Sequence, residues 1–361
     1  MVLPEFKPNL LDTATRMARF WNLEVPDDRV PVIVRVPNPG INLDGTWYGR
    51  LDAYRRMMEE YFALRAHIQD EYIPHVVPQY GHAAIAAICG SPILNTHETL
   101  WTTPVIDSAE RYNELRLDWG NPVARQFMED YDCLLHHARG RYAVAQCEIE
   151  GVSDTVSALR GFEGLLYELY EKPEAAHALL ARVTDILIEF SQWNNKFVGE
   201  RQDDLCGGMA FGYNLWMPKG SCTTCEDASV MVSDDYFREH FQAHVNRFTS
   251  SCTKALMEVH DEGFHQIGVF GKTPGVSLMT VRNIFGMARA HREALQNVLG
   301  KTCFMINVKN PDDIEELLMF TGLRGILLSV GVSDAADAER VLQIAERATQ
   351  KVINTPDRGT P

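Results

Sequence analysis

Short, mostly apolar runs alternate with longer amphipathic stretches along most of this chain. The runs occupy residues 32–36, 75–78, 142–149, 208–212, 255–259, 276–281, 303–308 and 325–330. Their length and their content of Val, Ile, Leu and Met favour strands, so the pattern predicts eight of them. Helical patterns fill the intervals, most clearly at 47–70, 172–199, 285–299, 310–320 and 334–351.

The order of these elements predicts the fold. Eight strands that alternate with helices favour a parallel sheet closed into a (β/α)8 barrel, here with extra N-terminal helices. A doubly wound open sheet is the alternative, but no G-x-G-x-x-G sequence follows the first run, which removes the commonest reason to prefer it. No linker rich in Gly, Ser or Pro divides the chain, so residues 1–361 are expected to form one domain. The interval from about 85 to 140 is long for one connection and is expected to add helices.

Composition narrows the functional classes. The net charge of −15 opposes binding to nucleic acids and to anionic membranes. No apolar stretch approaches the roughly 18 residues that a membrane span needs, and the first residues lack the basic-then-apolar layout of a signal peptide. We therefore expect a cytoplasmic protein that acts on a small molecule. The oligomeric state stays open, with a homodimer as one candidate because two-fold dimers are common.

In a (β/α)8 barrel, catalytic groups lie at the carboxyl ends of the strands and in the loops that follow. Candidates for lining a substrate cavity at those positions are Tyr80, His82, Glu148, Tyr213, Trp216, Arg282 and Asn283. Polar residues are also normal in loops, so position alone assigns none of them a role. Glu148 and Glu150 stand two apart at a strand end, where a carboxylate pair can hold a metal or act as acid and base, although solvated loop acids have the same pattern.

The segment His260-Asp261-Glu262-Gly263 is the most distinctive strand end, because an imidazole and two carboxylates follow a buried run directly. In an extended chain, residues two apart point to the same side, so His260 and Glu262 can converge on one point. Their nitrogen and oxygen atoms suit zinc or a related divalent metal. Alternatively, Glu262 orients the imidazole for proton transfer, or His260 only caps a helix or bonds within a loop.

Two of the eight cysteines have a spacing that suggests chemistry. Cys222 and Cys225 form a C-x-x-C pair that the pattern places in a loop, where metal ligation or thiolate chemistry is expected. A single C-x-x-C is weak support, because structural zinc sites usually have two such pairs. Cys303 opens its strand, so it is expected at the other end of the barrel in a structural role.

Several segments, in this order, resemble the uroporphyrinogen decarboxylase superfamily across nearly the whole chain. These segments are LRGFEGLLYELYEKPEAAHALL (159–180), CEDASVMVSDDYFREHFQAHVNRF (225–248), HDEG (260–263), TPGVSLMTV (273–281) and GILLSVGVSDAADAERVL (325–342). HDEG is similar to the place where relatives carry His-x-Cys-Gly or His-x-Asp-Gly. The resemblance implies a (β/α)8 barrel and a divergent member of the methyltransferase-like, His-x-Asp-Gly branch.

The chain departs from that family in informative places. True uroporphyrinogen decarboxylases carry an Arg-rich N-terminal segment and an aspartate after the second strand, whereas Arg35 is the only arginine in 30–40 here and no aspartate occurs in 75–84. Zinc and corrinoid-linked methyltransferases of the superfamily bind zinc through His-x-Cys and a later Cys. Here Glu262 replaces the first of those cysteines, so the resemblance implies a metal site of His260 and Glu262, with Cys222 or Cys225 completing the set.

These observations lead to three hypotheses. The leading one is a zinc-dependent enzyme, or one using another divalent metal, that transfers a methyl group involving a small molecule or a corrinoid, with a corrinoid protein as a candidate partner. His260, Glu262, Tyr213 and Arg282 would be catalytic, and Tyr80, His82, Glu148, Trp216 and Asn283 would bind substrate. The second is a metal-free decarboxylase or lyase that holds a small carboxylate with Arg35 or Arg282 and protonates the carbanion with His260. The third is a non-catalytic protein that binds a corrinoid or another small ligand.

Overall fold

The computed structural model describes residues 4–38, 47–96 and 100–355. The strands are β1 (Val32–Arg35), β2 (His75–Val76), β3 (Ile93–Asn95), β4 (Leu100–Thr102), β5 (Ala143–Val144), β6 (Ile149–Glu150), β7 (Gly208–Phe211), β8 (Leu215–Pro218), β9 (Cys222–Cys225), β10 (Ala255–Glu258), β11 (Val276–Val281), β12 (Cys303–Val308) and β13 (Ile326–Gly331). The helices are α1 (Leu10–Trp21), α2 (Leu51–Arg65), α3 (Ala84–Ile88), α4 (Pro122–Ala138), α5 (Val152–Arg160), α6 (Phe162–Glu171), α7 (Pro173–Gly199), α8 (Asp234–His240), α9 (Gln242–Ser250), α10 (Ile267–Phe270), α11 (Arg289–Gln296), α12 (Ile314–Thr321) and α13 (Asp337–Ile353).

A parallel sheet forms the centre of the molecule. Its strands lie in the order β1-β13-β12-β11-β10-β9-β6, and each neighbouring pair is parallel. A second parallel pair, β2 with β5, continues this arrangement, because β5 and β6 belong to one stretch of chain. The predicted parallel α/β architecture is therefore present and is barrel-like, although no ladder of backbone pairs closes β1 onto β2 in the described residues.

Two buried carboxylates occupy the seam between β1 and β2. Glu71 accepts a hydrogen bond from Val32 N at 2.7 Å, and Asp70 accepts one from Val34 N at 2.8 Å. Both groups therefore satisfy the outward amides of β1 that a neighbouring strand would otherwise bind. Arg29 holds Glu71 through two contacts of 2.7 and 2.9 Å, and Arg65 holds Asp70 at 2.6 Å. Side chains thus replace a strand ladder along this edge.

The structure corrects the identity of the fourth predicted strand. The run 208–212 was expected in the parallel sheet, but β7 pairs antiparallel with β8 in a hairpin. The sheet strand is instead β9, whose two cysteines the pattern placed in a loop. β9 escapes the apolar pattern because its sequence, Cys-Thr-Thr-Cys, has two hydroxyl residues, both of which are buried.

Helix α1 closes the amino end of the sheet. The Trp21 indole donates to Trp216 O at 3.0 Å, and the Cys303 thiol donates to Phe20 O at 3.3 Å. Cys303 is buried at the start of β12, as the sequence predicts for a structural residue. Between β2 and β5 the chain adds α3, the β3–β4 hairpin and α4, which confirms the extra helices expected there. Among the described helices, none combines the length and the hydrophobicity that a membrane crossing requires.

The seam predicts a large effect of one neutral substitution. Glu71→Gln keeps the side-chain shape but leaves the buried Arg29 guanidinium without its counter-charge, so we expect a loss of about 3 to 5 kcal/mol of unfolding free energy. Chemical denaturation of the purified variant measures this. Glu315→Gln, which removes an exposed partner of Lys351, is the matched control and is expected to change stability little. Equal stability of the two variants would contradict the role of the seam.

Candidate active site

Three neighbouring strands end in a row of ionisable side chains. Cys225 is in register with Glu150 on one side and with Glu258 on the other. Residues at the same level of neighbouring parallel strands point to the same face, so the three side chains share one surface. This row lies at the carboxyl ends of β6, β9 and β10. We use the name acidic wall for the row and three neighbouring carboxylates, that is, for Glu150, Cys225, Glu258, Glu148, Asp154 and Asp227. It occupies the position where barrels of this class carry their chemistry.

His260 lies at the centre of a charged network beside the acidic wall. Its Nε2 atom is 3.2 Å from Glu258 Oε1, 3.5 Å from Asp227 Oδ2 and 3.4 Å from Arg282 Nη2. Arg282 also donates to Glu258 at 3.0 Å. The imidazole is therefore held between two carboxylates and a guanidinium, an arrangement suited to taking up and releasing a proton.

The carboxylate that accompanies His260 is Glu258 rather than the expected Glu262. The chain is extended through His260 and then turns into a 3-10 helix at Asp261–Gln266, so the two-residue alternation holds before His260 and fails after it. Glu262 is exposed on that turn. Glu258 was not among the predicted site residues, although a lone glutamate inside an apolar strand indicates a position that faces a polar site.

Two loops of the acidic wall hold each other through carboxylates. Glu226 is buried and accepts hydrogen bonds from Val152 N and Ser153 N, each at 2.8 Å, at the start of α5. In return, Asp154 of α5 accepts from Asp227 N at 2.8 Å and from Ala228 N at 2.6 Å, in the turn that follows β9. This reciprocal clamp satisfies the first amides of both helical segments and fixes the position of Asp227.

Gly151 permits the close approach that the clamp requires. A Cβ atom at this position would lie 1.9 Å from Cys225 O and 2.4 Å from Glu226 Oε1. Any side chain would therefore push the loops after β6 and β9 apart.

Tyr213 reaches the acidic wall from the tip of the β7–β8 hairpin. Its backbone has φ 61° and ψ 17°, and that of Asn214 has φ 59°, so two consecutive residues are left-handed. A tyrosine in this region is strained, and such strain persists only where the surroundings impose it. Asn214 anchors the tip, because its carbonyl accepts from Ile73 N at 2.8 Å. The Tyr213 hydroxyl hydrogen bonds with Glu258, and burial together with the charges of Glu258 and Glu148 raises the pKa of Tyr213.

Burial changes the protonation of the acidic wall. It raises the pKa of Glu148, with Glu258 and Asp227 acting in the same direction and His82 opposing. It raises the pKa of Glu150 well above that of a free glutamate, assisted by the other carboxylates. The Cys225 thiol, which donates to Asp154 at 3.4 Å, likewise has a pKa raised by burial and by these negative charges. The wall therefore contains carboxyl groups and a thiol that keep their protons to higher pH than usual.

The other predicted residues fall into two groups. His82 joins the wall, since its Nδ1 atom lies 3.6 Å from Glu150 Oε1. Trp216 does not, because its indole donates to Leu205 O at 2.7 Å and its own carbonyl meets α1 at the amino end. Tyr80 is buried between Tyr48 and Phe127. Asn283 is exposed and accepts from Gly286 N within its own loop.

The predicted metal ligands do not come together. Cys222 lies at the amino end of β9, where it contacts Cys252, whereas Cys225 lies at the carboxyl end of the same strand. Glu262 is exposed on the turn that follows His260, whereas both cysteines are buried. Across residues 4–38, 47–96 and 100–355, no three His, Cys, Asp or Glu side chains are arranged to hold a metal ion. The set of His260, Glu262, Cys222 and Cys225 therefore does not fit a single zinc site.

The raised pKa of Glu150 predicts how stability depends on pH. A folded-state pKa above the unfolded value means that the native state binds more protons, so stability falls as pH rises from about 4.5 through the raised folded value. Glu150→Gln removes this term, and we expect the variant to be more stable than the wild type at pH 8 and not at pH 4. Melting temperatures across this range test it, with exposed Glu316→Gln as the control. A wild-type advantage that grows with pH would contradict the prediction.

Comparison with known proteins identifies the fold. No family model and no curated protein matches the chain. Among solved structures, a methyltransferase from Methanosarcina mazei is similar with a TM-score of 0.63 and 12% identity, over 94% of this chain and 99% of that one. A candidate vitamin-B12 independent methionine synthase from Listeria monocytogenes aligns over 91% of this chain and 98% of that one, at 10% identity and a TM-score of 0.44, too low to support an argument. The chain thus shares the fold of the Methanosarcina methyltransferase over nearly its whole length.

Proposed function

We propose that this chain is an enzyme that transfers a methyl group to or from a small molecule at the acidic wall. The observation that carries the proposal is the network in which His260 contacts Glu258, Asp227 and Arg282, beside carboxyls that keep their protons. Such a site offers a base and an acid close together. The fold shared with a methyltransferase supports the choice of reaction by analogy.

His260 and the residues of the acidic wall suggest how the methyl group and the protons would move. An acceptor X–H gives its proton to His260 as X attacks the methyl carbon of a donor CH3–Y, and the carbon–Y bond breaks. With a neutral donor, Y leaves as an anion and takes the proton of the Glu148 carboxyl, so that X–CH3 and Y–H are formed, and His260 then returns its proton to Glu148. With a cationic donor, Y leaves as a neutral molecule, Glu148 keeps its proton and His260 releases its own to solvent. Arg282 and Tyr213 orient Glu258, which in turn orients the imidazole.

The charge of the wall influences the choice of substrate. The carboxylates of Glu258 and Asp227 contact His260, and Arg282 already pairs with Glu258. An anionic group beside His260 would be repelled, whereas a neutral or cationic methyl donor would be favoured. This argues against the decarboxylase alternative in the form that uses Arg282 to hold a carboxylate.

Replacement of His260 tests the proposal directly. We expect His260→Gln to lower the rate of methyl transfer by about a hundredfold or more, because the base is lost. Methyl transfer is measured by mass spectrometry with a panel of donors, including free methylcobalamin, and of thiol, amine and alcohol acceptors. His265→Gln is the matched control, since His265 lies five residues on, outside the network. Full activity of His260→Gln, or release of CO2 in place of methyl transfer, would contradict the proposal.

Zinc, another divalent metal and a corrinoid partner remain predictions of the family resemblance. Because the expected ligands do not converge, no step above passes through a metal. Element analysis of the purified protein, with His260→Ala as the comparison, decides the metal-dependent form. Stoichiometric zinc that is lost in the variant would support it, and a folded, metal-free wild type would rule it out. Binding of a corrinoid without turnover of any donor would favour the third hypothesis, a ligand-binding protein.

A further inference from the structure

A cavity lies beside the carboxyl ends of β1, β12 and β13. It has a volume of about 530 Å³, and its lining includes Arg35, Lys309, Ser333, Asp337 and Arg340. Arg35 ends β1, Lys309 follows β12, and Ser333 follows β13, so the cavity opens at the carboxyl ends of these strands. The strand order separates β12, β13 and β1 from β10, β9 and β6 by β11 on one side. The cavity and the acidic wall therefore lie on different parts of the same mouth, by which we mean the side of the sheet where the carboxyl ends of its strands meet.

The cavity is basic in a strongly acidic chain. Three cationic side chains and one carboxylate line it, whereas the chain as a whole carries a charge of −15. Asp337 is engaged locally, because its carboxylate accepts a hydrogen bond from the Ser333 hydroxyl at 2.6 Å. In the part of the chain that the structure describes, the ion pair of Arg340 is a long contact of 3.7 Å with exposed Asp312. A local cluster of positive charge inside a negative surface concentrates anions at that point.

The side chains of Arg35 and Lys309 are exposed where they line the cavity. Within the described residues, no carboxylate forms an ion pair with Arg35 or Lys309. The Arg35 guanidinium lies against Gly331, and both residues line the cavity. Burial lowers the pKa of Arg35, and no neighbouring acid opposes this effect. Cations that have no carboxylate partner are stabilised by an anion that enters the cavity.

The position agrees with the chemistry. In barrels of this architecture, the loops after the last two strands frequently bind phosphate groups. Lys309 belongs to the loop after β12, and Ser333 and Arg340 follow β13. The amides of Ala336 and Asp337 are already capped by Asp334, so the side chains, not the helix end, supply the binding groups.

We propose that Arg35, Lys309 and Arg340 form an oxyanion-binding subsite that holds a phosphate or carboxylate group. If the proposed methyl transfer is correct, on which this last step rests, the substrate carries a neutral or cationic reactive end at the acidic wall and an anionic end in the basic cavity. One molecule would then be oriented by both parts of the mouth. Anion binding itself does not depend on the reaction.

Titration of the full-length protein with inorganic phosphate tests the subsite. Isothermal calorimetry at low ionic strength is expected to show saturable binding to the wild type, weakened about tenfold or more in Arg35→Gln/Lys309→Gln because two charge-assisted contacts are lost. The matched control is Lys301→Gln/Arg324→Gln, which removes the same charge before β12 and β13, at the opposite end of these strands. Acetate is titrated in parallel, and the preferred anion identifies phosphate or carboxylate as the ligand class.

Two results would overturn the proposal. One is the absence of saturable binding of either anion to the wild type, and the other is equal weakening in both double variants. Glu148→Gln separates the subsite from the catalytic proposal, because it is expected to abolish methyl transfer and to leave anion binding unchanged. A chain that binds phosphate but transfers no methyl group would keep the subsite and remove the proposed function.

Discussion

The arrangement of the mouth depends on how the edge of β1 is satisfied. A strand edge with free amides is costly inside a protein, because each buried N–H group needs a partner. Glu71 and Asp70 accept those bonds, and Arg29 and Arg65 balance their charges. Side-chain acceptors tolerate a gap that backbone pairing would not. The sheet can therefore stay curved around its mouth without a backbone ladder between β1 and β2.

At the carboxyl ends of the strands, buried carboxylates again accept hydrogen bonds from backbone amides, but here burial also raises a carboxyl pKa. Glu226 and Asp154 exchange hydrogen bonds with backbone amides and so join the loops that follow β6 and β9. Burial raises the pKa of Glu226 to about 8 even though the Val152 and Ser153 amides favour its charged form. Glu226, Glu148 and Glu150 all have raised pKa values, so the folded state loses stability as the pH rises through them. Acids that keep their protons thus lower the stability of this region at high pH. Such perturbed pKa values are frequent at catalytic sites.

The two ends of the same strands serve different purposes. At the amino end, Trp216 and Cys303 contact Trp21 and Phe20 of α1, and all four side chains are uncharged and buried. At the carboxyl ends, charges are divided between the acidic wall on β6, β9 and β10 and the basic cavity near β1, β12 and β13. If the two proposals are correct, charges of opposite sign at one mouth orient a substrate that carries both kinds of group.

The sequence by itself determined the alternation of strands and helices, the parallel sheet and the place of His260 just after a strand, because hydrophobic period and strand-end position are local properties. It could not distinguish β9 from a loop, since Cys-Thr-Thr-Cys becomes a strand only through pairing with β6 and β10. It could not choose between Glu258 and Glu262 as the partner of His260, because that depends on where the chain stops being extended. Nor could it separate Cys222 from Cys225, which are close in sequence but lie at opposite ends of one strand. These decisions belong to the tertiary structure, because they depend on which distant segments the backbone meets.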